Sequence, residues 1–487
     1  MLPPIRRDSG APIQSQLRRS IIDAIHAGQM QRRQKLLPSR QLAGQLGIAR
    51  NTVTAVYEEL VARGYLEARP RRGYFVAPDL PAADPAAAQT PAPTGGGSVD
   101  WSRALRQRPS QHRHLVKPAN WQDFPYPFVY GQVDPALFPI NIWRSCSRDA
   151  LGRAAIDWWA ADRANEDDPQ LIEQIRTQIL PRRGIFARPE EILITLGSQH
   201  GFYLISRLLV REGTRVGVEV PGYPDSRNIV EAEGAEIVEL AVDSAGARLG
   251  GGALDLALLT PAHHCPTNVT MTSSRRLETL SLARQNGTIL VEDDYEGETT
   301  FSGDGVTLKS LDEDGRVIYL GTLSKVLAPG VRLGFMVADA ALIEEARWLR
   351  RLMHRSCPLN NQRTAAIFLA EGHYLQLIRN LQDALERRFE RAAKGVTRHL
   401  PKLRLGPGVG SSLWLECAPG LDGRALLAAA ARRGVLIESG DPFVAPRDAG
   451  RYLRMGVGYI GEDRIDAGLH ELGAAIADLP GAYADIA

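Results

Sequence analysis

The sequence predicts a multidomain chain of 487 residues, in which a small α+β domain precedes a larger α/β domain and a smaller α+β domain. Three observations support this division. The first 76 residues carry thirteen Lys or Arg and five Asp or Glu, whereas the whole chain has a net charge of only +2. A segment rich in Ala, Pro, Gly and Thr then runs from Ala77 to Val99. Beyond it, short apolar runs end in glycine or polar residues, as buried parallel strands do at their C-terminal loops.

The composition is that of a soluble globular protein, with 44% hydrophobic and 23% charged residues. The sequence has no apolar run long enough to span a bilayer, and residues 1–7 lack the apolar core of a signal peptide. We therefore expect a cytoplasmic protein without a membrane partner. The cysteines are widely spaced, so the sequence predicts neither a metal site nor disulfide bonds. They are Cys146, Cys265, Cys357 and Cys417.

The N-terminal residues follow the pattern of a helix-turn-helix. A first amphipathic helix is predicted over Ile13–Ala27, because apolar residues recur there at helical spacing. A second helix is predicted to begin within Leu37–Ala43, with Ser39 as its N-cap. A turn at residues 47–48 leads to a third helix, predicted over Arg50–Arg63. Its polar and basic N-terminus suits a helix that recognises DNA.

A basic hairpin is predicted after these helices. The strand-like runs Gly64–Ala68 and Gly73–Val76 flank the sequence Arg69-Pro70-Arg71-Arg72, which has the character of a wing. Residues 1–76 have a formal net charge of +8, and this sign favours a nucleic-acid partner. A basic helical module without DNA specificity is the alternative. The residues expected to contact double-stranded DNA are Ser39, Arg40, Arg50, Asn51, Thr52, Arg71 and Arg72.

Lys325 is the most informative residue of the larger part of the chain. It follows the apolar run Val317–Leu320 and stands among small hydroxyl residues, with an arginine seven places on. This pattern suits an aldehyde-phosphate cofactor. The lysine amine forms a Schiff base with the aldehyde, while Thr322, Ser324 and Arg332 bind the phosphate. A surface lysine in a loop is the alternative for this motif taken alone.

A second apolar run, Ile289–Val291, ends in carboxylates. A carboxylate there can hold the pyridine nitrogen of a cofactor protonated, which makes the ring an electron sink. Asp293 is the candidate and Asp294 its competitor, since adjacent strand residues point to opposite faces. Tyr295 is placed to reach the phenolic oxygen of the ring. Ordinary loop acids or a helix cap are the alternative.

Two more strand-like runs end near the same edge of the predicted sheet. The run Ile192–Leu196 breaks at Gly197, where a helix is predicted to begin, so backbone N–H groups at Gly197, Ser198 and Gln199 can bind a phosphate. Tyr223 follows the other run and is placed to stack on the cofactor ring, although core filling is the alternative. Ligands of open α/β sheets bind at the carboxyl ends of strands.

Together these segments resemble the fold-type I aminotransferases, from about Pro125 to the C-terminus. The resemblance implies pyridoxal 5'-phosphate (PLP), bound to Lys325 as an internal aldimine. It also places Arg454 where that family binds a substrate α-carboxylate; a strand-edge arginine in a salt bridge is the alternative. Cys265 stands in place of an asparagine that contacts the ring oxygen, which weighs against ordinary transamination but not against cofactor binding. Asn165–Pro169 replaces a Tyr-Gly-Asp-Pro-like segment of the family.

Residues 11–76 are similar to the GntR-type winged helix. A winged helix of this type joined to an aminotransferase-like domain resembles the MocR subfamily of bacterial regulators. The resemblance implies a DNA-binding domain at 1–76, a flexible linker at 77–123, a PLP-binding large domain at 124–353 and a small domain at 354–487. A homodimer is also implied, because fold-type I sites are built at a subunit interface.

The sequence therefore predicts a PLP-dependent transcription regulator that senses an amine or amino-acid effector. An active aminotransferase with an appended DNA-binding domain is one alternative, and a sensor of the cofactor itself is another. Arg454 favours an effector with a carboxylate. Asp225 lies two residues after Tyr223, where it either repels a second acidic group on the effector or caps the following helix.

Overall fold

The computed structural model describes residues 12–80, 99–250, 252–299 and 305–479. The chain divides into two compact units, Met1–Arg106 and Gln107–Ala487. The start of the predicted first domain, the end of the predicted last domain and residues 81–98 of the predicted linker lie outside the described residues. No described helix is long and apolar enough to cross a membrane.

The first unit is a helix-turn-helix followed by a two-stranded hairpin. Apolar residues recur along its helices at helical spacing, and their side chains meet in one core that includes Leu17, Ile21, Val53 and Leu60. The elements are α1 (Ile13–His26), α2 (Ser39–Leu46), α3 (Arg50–Ala62), β1 (Leu66–Arg69) and β2 (Gly73–Val76). The predicted helices and hairpin are thus confirmed, with differences of one or two residues at their ends.

The N-cap predicted for α2 is wrong by one residue. Ser39 is already the first helical residue, and Pro38 precedes it with extended backbone (φ −53°, ψ 140°). The reason is that the carbonyl of Pro38 accepts the hydrogen bond from the Leu42 N–H at 3.0 Å. At the other end Gly47 adopts the left-handed conformation (φ 64°), which closes the helix and turns the chain toward α3.

A mixed sheet forms the centre of the second unit. Its strand order is β4-β11-β10-β9-β8-β5-β6-β7, and the neighbours from β10 to β6 run parallel. Buried apolar side chains cover both faces, as expected for parallel strands. The strands are β4 (Ile192–Thr195), β5 (Arg215–Val220), β6 (Glu236–Asp243), β7 (Gly246–Ala247), β8 (Leu256–Leu259), β9 (Ile289–Asp294), β10 (Val317–Thr322) and β11 (Gly334–Val337).

A second, antiparallel sheet lies toward the C-terminus, with the order β12-β13-β16-β15. A separate short parallel pair joins β3 to β14, so Phe128 enters the core of this C-terminal part although it lies in the predicted large domain. The strands are β3 (Tyr126–Pro127), β12 (Leu403–Leu405), β13 (Ser412–Cys417), β14 (Val435–Leu436), β15 (Glu438–Ser439) and β16 (Tyr452–Gly456).

Helices cover the sheets and connect the two cores of the second unit. The longest of them contributes Tyr374 to one core and Val396 to the other. The helices after α3 are α4 (Trp101–Ala104), α5 (Ile140–Ala150), α6 (Arg153–Trp159), α7 (Pro169–Gln174), α8 (Ser198–Leu209), α9 (Pro224–Ala232), α10 (Ser273–Asn286), α11 (Ala340–His354), α12 (Leu359–Ala370), α13 (His373–His399), α14 (Gly423–Arg432) and α15 (Ile465–Ala477).

Residues 107–121, here called the strap, belong to the second unit, although the sequence places them in the linker. Gln107 Nε2 donates to the carbonyl of Ala232 at 2.8 Å. The Arg113 side chain donates to the carbonyl of Val444 at 2.6 Å, and the Arg113 carbonyl accepts a hydrogen bond from Asn228 at 2.8 Å. The strap is therefore fixed to α9 and to the loop before β16.

Candidate functional site

A cavity of about 280 Å³ lies at the C-terminal ends of the parallel strands. The structure brings the predicted PLP- and effector-site residues together at this one place, although they come from segments far apart in sequence. The predicted residues that line the cavity are Gly197, Ser198, Gln199, Tyr223, Asp293, Tyr295, Thr322, Ser324, Lys325, Arg332 and Arg454.

Lys325 is half-buried in this cavity beside Tyr130. Its Nζ donates a hydrogen bond to the Tyr130 hydroxyl at 3.1 Å and lies 4.2 Å from the centre of the tyrosine ring. Burial lowers the pKa of Lys325, although Glu296 opposes this shift. A lowered pKa increases the share of neutral amine, which is the nucleophilic form.

Tyr130, Glu296 and His263 form a buried chain of polar groups behind Lys325. Tyr130 OH donates to Glu296 Oε1 at 2.7 Å, and His263 Nε2 lies 3.0 Å from Glu296 Oε2. Burial by itself would raise the pKa of Glu296, but His263, Lys325 and Tyr130 outweigh it and bring the pKa to about 2. Glu296 is therefore a carboxylate that holds Tyr130 in place. The sequence patterns did not predict a role for these three residues.

Asp293 and Asp294 occupy opposite sides of strand β9. Asp293 lines the cavity, and burial raises the pKa of its carboxyl to about 8. Among the described residues, its Oδ1 has no hydrogen-bond partner. Asp294 instead accepts hydrogen bonds from Arg183 at 2.7 Å and from Tyr319 at 2.6 Å. A protonated ring nitrogen would supply the hydrogen-bond donor that this buried carboxyl oxygen lacks.

The start of α8 and the loop after β10 form an anion-binding surface. Gly197 has a φ of 95°, so the next N–H groups lie at the positive end of a helix of 12 residues. The Arg332 guanidinium lies close to this turn, since a Cβ placed on Gly197 would be 3.1 Å from Arg332 Nη2. Ser324 Oγ donates to the Leu333 carbonyl at 3.1 Å and still lines the cavity. These groups fit a phosphate.

Tyr223 lies at the cavity wall and is held by Asp225. Its hydroxyl donates to Asp225 Oδ2 at 3.1 Å, and Gln199 Nε2 donates to the same oxygen at 3.3 Å. The other oxygen of Asp225 accepts from Asn228 at 3.2 Å. Asp225 thus orients the tyrosine that stands over the cavity.

Arg454 is buried and already paired with a carboxylate. Its Nε donates to Glu438 Oε2 at 2.9 Å, because Glu438 lies directly opposite Arg454 in the pairing of β15 with β16. Its guanidinium lies 4.1 Å from the Tyr130 ring centre and 4.5 Å from that of Phe443. The salt bridge considered as the alternative for Arg454 is present, yet the residue also lines the cavity.

Two departures from the aminotransferase pattern have structural explanations. Burial raises the pKa of the Cys265 thiol to about 12, so at neutral pH it is a neutral group in the cavity wall. In the segment Asn165–Pro169, Asp167 pairs with Arg350 at 2.6 Å, and Asp168 pairs with Arg363 at 2.5 Å. These acids hold α11 and α12 against the segment.

His200 and His354 form a buried polar pair near the start of α8. The Leu196 N–H donates to His200 Nδ1 at 3.1 Å, and the Nε2 atoms of the two rings lie 3.3 Å apart. Cys357 is their neighbour, with the three donor atoms within 4.8 Å of one another. Burial lowers the pKa of His200 to about 4. These contacts hold the two rings against the loop that begins α8.

The residues predicted to contact DNA lie on the first unit, at the N-termini of α2 and α3 and at the hairpin tip. Arg71 has a left-handed backbone (φ 61°), which turns the chain between β1 and β2. The carboxylate of Glu59, on α3, forms an ion pair with Arg18 at 2.9 Å. The exposed members are Arg40, Arg50, Asn51, Arg71 and Arg72, and the half-buried members are Ser39 and Thr52.

Comparison with known families matches both units. Residues 13–76 match the family of bacterial regulatory proteins, gntR family. Residues 162–438 match the family of class I and II aminotransferases. The first match covers the helix-turn-helix and hairpin, and the second covers most of the cavity lining.

Two curated regulators match across most of this chain. The chain is 39% identical to the HTH-type transcriptional regulator TauR of Rhodobacter capsulatus, over 95% of this chain and 96% of that protein. It is 29% identical to the probable rhizopine catabolism regulatory protein MocR of Rhizobium meliloti, over 81% of this chain and 79% of that protein. Among solved structures, the kynurenine aminotransferase of Pyrococcus horikoshii superposes with a TM-score of 0.69 at 25% identity. That likeness covers 78% of this chain and 98% of the other.

Proposed function

The chain belongs to the MocR subfamily of GntR-type transcription regulators, and from this premise we propose that it is a PLP-dependent regulator whose DNA binding responds to an amine effector. The observation that carries the proposal is the position of Lys325, Asp293 and the α8 N-terminus around one cavity. The first unit supplies exposed basic residues for double-stranded DNA. Such a regulator works in the cytoplasm.

The cavity residues fit PLP in three separate ways. The buried amine of Lys325 can bond to an aldehyde. The unpaired Oδ1 of Asp293 can accept a hydrogen bond from a ring nitrogen. The α8 N-terminus and Arg332 can hold a phosphate. When bound, the cofactor supplies a carbonyl that reacts reversibly with amines and a ring that withdraws electrons.

Effector recognition is proposed to use the same cavity. An incoming amine competes with Lys325 for the carbonyl. Lys325 must then accept and release protons, and the Tyr130 hydroxyl lies 3.1 Å from its Nζ. The effector shifts the equilibrium between two conformations only to the extent that it binds one of them better. The size of the regulatory response is thus set by the difference between the free energies with which the effector binds the conformation that can bind DNA and the conformation that cannot.

An active aminotransferase is the second candidate, because Lys325, Asp293 and Arg454 are all in the cavity. Two observations weigh against it. Glu438 already occupies the Nε of Arg454, and a thiol replaces the family's amide at Cys265. Both changes weaken a site built for α-amino acids and 2-oxo acids.

The test is to give the purified PLP-loaded protein a panel of amines with and without 2-oxo acids. We expect spectral changes and altered mobility of a protein–DNA complex, without steady product formation. Sustained conversion of amine and 2-oxo acid would establish the enzyme instead. Spectral change without any effect on DNA would contradict the regulatory proposal.

A homodimer is also proposed. Helix α11 presents a large apolar surface, with Leu352 82% exposed and Trp348 49% exposed one turn away. Exposed apolar residues at this spacing favour a protein interface. Leu352→Glu should shift the protein from dimer to monomer in sedimentation velocity, and an unchanged dimer would place the interface elsewhere.

A further inference from the structure

Lys117 brings a second amine from the strap into the cavity that holds Lys325. Its side chain is 27% exposed, and its Nζ lies 4.0 Å from Glu438 Oε1. A Cβ placed on Gly131 would lie 3.5 Å from the Nζ of Lys325 and 3.9 Å from the Nζ of Lys117. The two amines therefore face the same small region of the cavity.

One carboxylate in this region, Glu438, serves two basic side chains. Glu438 accepts the Arg454 Nε at 2.9 Å and the Tyr130 N–H at 3.3 Å, and it is also the nearest carboxylate to Lys117. Two cations thus share one anion. Burial lowers the pKa of Lys117, with Glu438 opposing the shift and Arg454 adding to it. A negative group of a ligand beside Lys117 would give this amine a partner that it does not share with Arg454.

The strap that carries Lys117 is attached at both ends of the cavity. Next to Lys117, His114 lies 3.5 Å from Asp225 Oδ1, and Asp225 holds the hydroxyl of Tyr223. Arg113 is fixed by hydrogen bonds to Val444 and Asn228. Lys117 therefore approaches the cavity from a segment that is held both by the α9 region and by the loop that contains Val444.

We propose that Lys117 binds an anionic group of the effector, and that the effector is an amine with one such group. This inference rests on the proposed function, because it assigns the effector of that same cavity. A single carboxylate or sulfonate would pair with Lys117, whereas a second acidic group would meet Glu438. The strap also begins the second unit and continues the chain that follows the DNA-binding domain. Effector binding thus acts directly on the segment that leads to that domain.

The experiment compares matched pairs of amines on the PLP-loaded, full-length protein. Glycine, β-alanine and 4-aminobutyrate carry a carboxylate; methylamine, ethylamine and propylamine are the same skeletons without it. Spectral titration gives an affinity for each compound in the wild type, in Lys117→Met, in Lys117→Arg and in the control Lys394→Met. Lys394 is 75% exposed on α13. PLP content is measured in every variant.

Lys117→Met should weaken binding of the carboxylated amines that the wild type accepts by at least about tenfold, the loss expected for one charge-assisted hydrogen bond. It should leave the simple amines and PLP content unchanged. Lys117→Arg should keep most of the preference, and Lys394→Met should match the wild type. Equal losses for both members of each pair, or no loss at all, would overturn the role of Lys117 while leaving the proposed function intact. A wild type that responds to no amine would overturn the proposed function, and this inference with it.

Discussion

The Nζ of Lys325 donates a hydrogen bond to the hydroxyl of Tyr130 at 3.1 Å, and these two residues lie 195 positions apart in the sequence. Tyr130 comes from the segment after β3, whereas Lys325 follows β10. Because Tyr130 in turn donates to Glu296, the amine that is proposed to carry the cofactor ends a chain of buried polar groups. This chain fixes the position of the lysine.

Tyr130→Phe should slow the exchange of bound amines by about tenfold or more, since the variant lacks the hydroxyl nearest to the reacting amine. The PLP content should remain close to that of the wild type. Stopped-flow absorbance with a saturating amine measures the exchange rate. Tyr374→Phe is the matched control, because Tyr374 is a buried tyrosine of a hydrophobic core that does not line the cavity. Equal rates in wild type and Tyr130→Phe would exclude Tyr130 from the reaction.

The two neighbouring aspartates should respond differently to the same change. Asp294→Asn removes the charge that pairs with buried Arg183 at 2.7 Å, and it should destabilise the second unit by about 3 kcal/mol. Asp293→Asn should not destabilise this unit but should impair reaction with amines, since an amide cannot carry the charge that stabilises a protonated ring nitrogen. Calorimetry and spectral titration of both variants test this. A larger spectral defect in Asp294→Asn would reverse the assignment.

The stability of the PLP-free protein should depend on pH through Asp293. Burial raises the pKa of this carboxyl from 3.8 to about 8, so the folded state retains a proton that the unfolded state loses. The folded state therefore loses stability, relative to Asp293→Asn, as pH rises from about 4 to about 8, and the difference stays constant above that range. Denaturant titrations of both proteins at pH 5, 7 and 9 measure the gap. A gap that does not grow with pH would show that Asp293 is ionised in the folded state.

DNA binding should depend on Arg50 and Arg71, which are exposed at the start of α3 and at the hairpin tip. Arg50→Ala and Arg71→Ala should each weaken binding, and the salt slope should fall by about one for each phosphate that the variant no longer neutralises. PLP content should not change. Arg433→Ala, on the second unit, is the control. If both variants bind DNA like the wild type over a salt series, then these two arginines are not part of the DNA interface.

Local sequence patterns were enough to predict the elements that carry the site. The runs before Gly197, Asp293 and Lys325 are short and apolar, and each became a strand of the large sheet ending at the cavity. Side chains alternate along β9, so only one of Asp293 and Asp294 can face the cavity. Only the ion pair between Arg183 and Asp294 shows that Asp294 faces the other side. Periodicity cannot supply that information.

The site residues that could not be predicted from the sequence reach the cavity through non-local pairing. Glu438 meets Arg454 because β15 pairs with β16, and no spacing in the chain encodes this register. Lys117 lies in a stretch that shows no helix or strand periodicity. Its position follows from the hydrogen bonds of Arg113 to Val444 and Asn228. Tyr130 comes after β3, whose partner β14 is remote in the chain.

The central claim is that Lys325 carries the cofactor. Borohydride reduction of the PLP-loaded protein, followed by proteolysis and mass spectrometry, measures this directly. We predict a single phosphopyridoxyl modification on the peptide that contains Lys325, and none in Lys325→Ala, because the Lys325 Nζ is held by Tyr130 in the cavity that Asp293 and the α8 N-terminus line. Lys394→Met should be modified like the wild type. A reduced link on another lysine, or one that persists in Lys325→Ala, would contradict the account.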